Sequence, residues 1–273
     1  MGRWNIRWSI LLVLWCVTGV KLAAMKVESL DRGWFFNRGY ESQAADKVTV
    51  DLPHTWNAAD AMFGNVNYYR GMSTYSRFIV VPSSENFKRV FLRVKAAQTV
   101  ADVYLDNHFV AQHKGGYTSF TVELTHLIRK GEKHKLDIRV SNAQTMEIAP
   151  ICGDFNIWGG LNRGVELLYT DDACIDPTFY GSSGVFFTQC DVSEKYAGLE
   201  MKALLSGTEM ALNDCSVEFS LLDAKRKVVW CKETSVSGKE ALVKMELNNP
   251  HLWDGVNAVS YTHLRAHETV LDL

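Results

Sequence analysis

The chain has 273 residues, 47% hydrophobic and 22% charged, with a net charge of −2. This composition excludes a disordered chain, and without a basic field to gather phosphates nucleic acid is not an expected partner. The length allows two domains, each with its own core.

In chain order, Arg3 and Arg7 precede the apolar run WSILLVLWCVTGV (8–20), and KLAA supplies small residues after it. That is the layout of a signal peptide over 1–24, cleaved after Ala24. A run of 13 apolar residues is short for a bilayer crossing. No membrane span is expected, and the mature protein is expected to be exported, periplasmic or extracellular. Cys16 leaves with this segment. Cys152, Cys174, Cys190, Cys215 and Cys231 remain, an odd set without metal-ligand spacing. Buried thiols are expected, with one Cys215–Cys231 bridge left open. His108 and His113 stand away in sequence from any cysteine or carboxylate cluster, so no metal site is expected.

From about Met25 the pattern is that of strands. KRVFLRV sets Val90, Leu92 and Val94 on one face, and HKLDIRVS does the same with Leu136, Ile138 and Val140. TVADVYLDNHFVAQH reads as two strands joined at Asp106-Asn107-His108, and Gly115-Gly116 marks a further turn. Tyr117 and Phe120 are expected in the core. LTHLIRKG reads as a short helix stopped by Gly131. The fold class is all-β: a first sandwich, jelly roll or barrel over 25–170, then a boundary near Thr170-Asp171-Asp172. Over 171–258, GVFFTQCDVS, AGLEMKALLSG, CSVEFSLLD, KVVWCKE and ALVKMELNN read as five more strands. That is immunoglobulin-like spacing, one or two strands short of the usual seven.

Several phrases stand together in the first domain: DRGWFFNRG (31–39), DLPHTWNAAD (51–60), NVNYYRG (65–71), VFLRVKAAQTVADVYLDNHFVAQHKGGYTSF (90–120) and GDFNIWGGLNRGVEL (153–167). The set resembles the N-terminal sugar-binding jelly roll of glycoside hydrolase family 2. The second domain, ending in NPHLWDG, is similar to the immunoglobulin-like domain that follows it there. The resemblance implies a galactose-binding-like jelly-roll sandwich, then an incomplete immunoglobulin-like sandwich. It also implies a third domain, a (β/α)₈ barrel with two catalytic glutamates. The chain contains no Asn-Glu dipeptide and no βαβ alternation, so no catalytic residue is expected within it. Relatives bind Mg²⁺ or Na⁺ mainly through the barrel, so no cofactor is expected in this chain.

By the same resemblance, substrate binding falls to Asn65 and Asp154 at the rim of the barrel's pocket, with Asn67 an alternative match to Asn65. A carboxylate accepts from adjacent sugar hydroxyls, and an amide both donates and accepts. His54-Thr55-Trp56 is read as a loop packed against the sandwich rather than a stacking surface. Arg70 and Arg163 are read as loop anchors. Trp158 lines a subsite or packs in a core or domain interface. Asn162 stands where relatives carry an aromatic.

The segment VSYTHLRAHET (259–269) resembles one reading frame of a sequencing adapter, so 259–273 is expected to be an artefactual tail rather than a closing strand. The resulting expectation is the N-terminal fragment of an exported retaining glycosidase, most like a β-galactosidase. It acts on a β-linked oligosaccharide or glycan and partners its own missing barrel. The rivals are a stand-alone carbohydrate-binding module and an adhesion protein.

Overall fold

A computed structural model of the chain describes residues 20–21, 25–39, 48–60, 68–84, 86–149, 157–222, 226–250, 252 and 263–270, with 20–21 and 263–270 described by backbone alone. In chain order the strands are β1 (Val20–Lys21), β2 (Lys26–Ser29), β3 (Trp34–Arg38), β4 (Val48–Val50), β5 (Met72–Val80), β6 (Arg89–Val94), β7 (Val100–Leu105), β8 (His108–Lys114), β9 (Phe120–Glu123), β10 (Lys133–Ser141), β11 (Val165–Thr170), β12 (Cys174–Ile175), β13 (Val185–Cys190), β14 (Tyr196–Ser206), β15 (Cys215–Leu222), β16 (Val228–Ser235), β17 (Glu240–Asn248) and β18 (His263–Val270). The fold is all-β. Among the described residues, no helix is long and apolar enough to cross a membrane.

Two sheets form the first unit, a six-stranded β4-β3-β5-β10-β7-β8 and a four-stranded β2-β11-β6-β9. Alternation explains the core between them. Leu136, Ile138 and Val140 of β10 meet Val90, Leu92 and Val94 of β6 in one buried cluster, because residues two apart share a face of a strand. β10 pairs with β5 over its whole length, from Lys133↔Val80 to Ser141↔Met72. The β7–β8 hairpin closes on Asp106 and Asn107, both at positive φ (49° and 67°), as a two-residue turn of matching twist requires.

A second core lies between β14 and β17 on one side and β15 on the other, filled by Met201, Ala203, Leu205, Val217, Phe219, Leu221, Val243 and Met245. β14 is flanked by β13 and β17; β15 pairs with β16 and β18, and β18 with β1. All five strands read from 171–258 form. The tail segment contributes β18, in register with β15 from Cys215↔Val270 to Leu222↔His263. Such pairing is made by backbone groups and is open to any extended segment.

Arg89 joins the two units. Its Nε and Nη2 form a fork on Glu123 (3.0 and 2.8 Å), while Nη1 donates to the Asp172 carbonyl (3.1 Å), Ser206 Oγ (2.9 Å) and Cys174 Sγ (3.5 Å). Beneath it Phe91, Leu168 and Cys174 form a small apolar cluster with Met25.

The structure corrects two expectations, the helix and the burial of the thiols, and closes the open question of a bridge. Leu124–Gly131 is a single turn, not a helix. Leu127 and Ile128 both return to the Leu124 carbonyl, and Leu124 and Ile128 then tuck under the first core. Gly131, at φ 82°, donates back to Val81 and ends the turn. The short helix that does form is α1 (Glu209–Asn213), capped by Thr208, whose hydroxyl accepts from Ala211 N. Cys190 and Cys231 are exposed rather than buried. Cys215 and Cys231 are not bridged. Cys231 pairs with Ser220 across the ladder, five residues along from Cys215, which is about 16 Å at the rise of a strand and far beyond disulfide reach.

Candidate functional site

At one end of the first sandwich three loops are tied together by two asparagines. Asn57 follows the Trp56 loop, and Asn142 follows the last residue of β10; both are fully buried. Asn142 Nδ2 donates to Asn57 Oδ1 (3.1 Å), the Tyr69 carbonyl (3.1 Å) and the Ile157 carbonyl (2.9 Å), and its Oδ1 accepts from Gly71 N (2.9 Å). Asn57 Nδ2 donates to Asp60 Oδ2 (2.7 Å) and the Tyr69 carbonyl (2.9 Å), while its Oδ1 accepts from Gly159 N (2.7 Å). Asp60 Oδ2 also accepts from Tyr69 N (3.1 Å). Primary amides suit this work because each carries two donors and a two-lone-pair acceptor, so backbone groups that have left the sheet ladder stay satisfied without water.

The wall beside this knot is aromatic. Trp56 is buried, stacked on Phe36 (6.0 Å, 18°) and edge-on to Tyr69 (6.2 Å). Arg38 lies over the Tyr69 ring (5.2 Å) and donates to the Trp56 carbonyl (3.1 Å). His54 Nδ1 and Tyr75 OH share a hydrogen bond of 2.7 Å. Burial pushes the Tyr75 hydroxyl far above the ordinary phenol range and lowers His54, so a neutral phenol faces a neutral imidazole. Gly159 gives up its side-chain space to Trp56, since a Cβ there would collide with the indole.

Asn65 and Asp154, with the alternative Asn67, lie outside the described residues. The described anchors on the C-terminal side of each, Tyr69 and Ile157, are brought together: both carbonyls accept from Asn142 Nδ2. Trp56 packs in the core, as the loop reading expects. Arg70 anchors its loop, on Gln144 Oε1 (3.4 Å) and over the Tyr68 ring (5.6 Å). Arg163 is exposed, and among the described residues its side chain makes no hydrogen bond or ion pair. Phe120 is buried, but Tyr117 is 69% exposed, against expectation, because it lies on the outer side of the Gly115-Gly116 turn. Trp158 is 41% exposed and Asn162 Nδ2 closes its turn on the Trp158 carbonyl (2.9 Å). Sequence reasoning missed Asn57 and Asn142. A single sequence carries no signal for them, because they are 85 residues apart and meet only in the fold.

Residues 27–171 match the family model described as glycosyl hydrolases family 2, sugar binding domain. The chain belongs to glycosyl hydrolase family 2. Its relatives in the family include a β-glucuronidase of Bacteroides fragilis, 37% identical over 232 residues that make up 83% of this chain and 33% of the relative. A β-galactosidase of Thermoanaerobacter pseudethanolicus is 25% identical, over 75% of this chain and 27% of that one. Among solved structures, the β-glucuronidase of Parabacteroides merdae superposes with a TM-score of 0.73 at 26% identity, covering 89% of this chain and 35% of that one. The chain thus spans about a third of the length of the curated family 2 relatives it matches.

Proposed function

We propose that the chain forms the non-catalytic β-sandwich portion of an exported, retaining family 2 glycosidase that releases a terminal sugar from β-glucuronides. The observation that carries this reading is the 37% identity to a protein named β-glucuronidase across both sandwiches. β-Galactosides are the second reading, favoured by the relatives named β-galactosidase. The two catalytic carboxylates, which a retaining enzyme holds about 5–5.5 Å apart, would come from a barrel outside these residues. By the family resemblance, Asn65 and Asp154 would contact the glycone. The second unit is read as immunoglobulin-like, residues 1–24 as a cleaved signal, and 259–273 as translated adapter.

One experiment tests these together. The source DNA is read outward from the Ala258 codon, and the complete reading frame is expressed and assayed on p-nitrophenyl β-D-glucuronide and β-D-galactoside. We expect kcat/KM for the glucuronide to exceed that for the galactoside by about a hundredfold, the scale a carboxylate-specific pocket supports. The reverse preference makes the enzyme a β-galactosidase. A frame that closes on VSYTHLRAHETVLDL, with neither substrate cleaved, overturns the enzyme reading in favour of a binding module.

A further inference from the structure

We propose that Trp158 is a stacking platform for a pyranose ring of the glycan; the identity of that ligand rests on the glycosidase reading above. Four tryptophans fall among the residues with described side chains. Trp34 and Trp56 are buried, and Trp230 packs against the second core. Trp158 alone of these is exposed, at 41%, yet its carbonyl and the backbone on either side of it are hydrogen-bonded. The Ile157 carbonyl before it accepts from Asn142 and its own carbonyl accepts from Asn162 (both 2.9 Å). Gly159 N donates to Asn57 Oδ1 (2.7 Å), and the Gly159 carbonyl accepts from Thr55 Oγ1 (2.8 Å) and Trp56 N (3.2 Å). The Gly160 carbonyl accepts from Gln98 N (3.0 Å).

An exposed loop tryptophan ordinarily rides on a loose backbone. Here the flanking backbone is held by hydrogen bonds while the residue is exposed, so docking a ligand on it costs little further ordering. The neighbours settle the kind of ligand. Among the described residues, Gly159 and Gly160 bring no side chain beside the ring, Leu161 is buried in the core, and the polar Asn162 and Arg163 come after it. An indole that is isolated among the described residues and followed by polar ones fits a sugar, whose ring is apolar on its face and ringed by hydroxyls. A protein partner would call for contiguous apolar surface, such as the exposed pair Val228 and Val229 on β16.

The test is a titration of the ¹⁵N-tryptophan-labelled 273-residue chain with methyl β-D-glucuronide and methyl β-D-galactoside, with glycerol as control, reading the indole N–H signals. Trp158 is assigned with W158F. A single stacking face gives weak affinity, so the titration runs to about 200 mM. We expect the Trp158 signal to move saturably with at least one sugar while those of Trp34, Trp56 and Trp230 stay put. W158A, its melting temperature checked against wild type, should abolish the accompanying saturable shifts at the Gly159 and Gly160 amides. No movement of Trp158 with either sugar, or equal movement with glycerol, overturns the proposal. A glycosidase whose Trp158 ignores sugar removes this inference alone. A Trp158 response in a protein without glycosidase activity removes the enzyme reading alone.

Discussion

Replacing Asn142 with alanine should cost the first sandwich far more than one side chain of its size suggests. The amide is fully buried and serves four groups. Two keep other partners: the Tyr69 carbonyl retains Asn57 Nδ2 and Asn57 Oδ1 retains Gly159 N. Among the described residues, Gly71 N–H and the Ile157 carbonyl lose their side-chain partner outright. At about 1–3 kcal/mol for each buried group left unmet, the loss is about 4 kcal/mol. With a urea slope of about 2 kcal/mol per M for a domain of this size, the midpoint falls by about 2 M. The assay is urea unfolding followed by the fluorescence of the buried Trp34 and Trp56, with Asn162→Ala as control. That amide meets one carbonyl at the edge, a loss of about 1 kcal/mol or less. Asn142→Asp should be at least as damaging near neutral pH, since it sets a charge against three oxygen acceptors, and should recover in part as acid restores an O–H donor. A midpoint shift for Asn142→Ala below about 0.5 M, or equal to that of Asn162→Ala, would refute the reasoning.

Arg89→Lys loses the fork on Glu123 and cannot reach Asp172 and Ser206 at once, so limited proteolysis within 171–184 should quicken about tenfold; an unchanged rate would show that the clamp does not couple the units. The hydrogen bond from Arg89 holds the Glu123 carboxyl below its ordinary range. A depressed folded value means stability that is present above the unfolded value and lost as pH falls through the folded one. The urea-midpoint gap between wild type and Glu123→Gln should therefore be wide near pH 6 and shrink towards about pH 3; a gap undiminished in acid would count against it. Iodoacetamide should modify Cys190 and Cys231 in the native protein but Cys174 and Cys215 only after unfolding, read by peptide mass spectrometry. Native modification of Cys174 would mean that the Arg89 cluster opens readily.

The strands were legible because alternation is a local property: β6, β10 and β14 carry their buried faces in plain period two, and Asp106-Asn107 announces its own turn. The Leu124–Gly131 stretch misled because leucine and isoleucine at helical spacing also fit a single turn whose apolar residues drop into the core. The site was less legible. Asn57 and Asn142 are 85 residues apart and meet only in the fold, and nothing in one sequence distinguishes a buried asparagine from a surface one. Tyr117 was placed inside on its aromatic character, whereas the turn at Gly115-Gly116 carries it outward. Trp56 and Trp158 look alike as residues; Gly159 makes room for the first, and loop geometry leaves the second in water.

The contact between Gly159 and Trp56 also constrains how this protein can change over time. The indole occupies the space that any side chain at position 159 would need, so neither residue can drift alone. A larger residue at 159 must wait for a smaller one at 56, and a smaller residue at 56 leaves a void until 159 fills it. Relatives should therefore vary these two positions as a pair. Libraries built to alter sugar preference around Trp158 should randomise 56 and 159 together or leave both untouched.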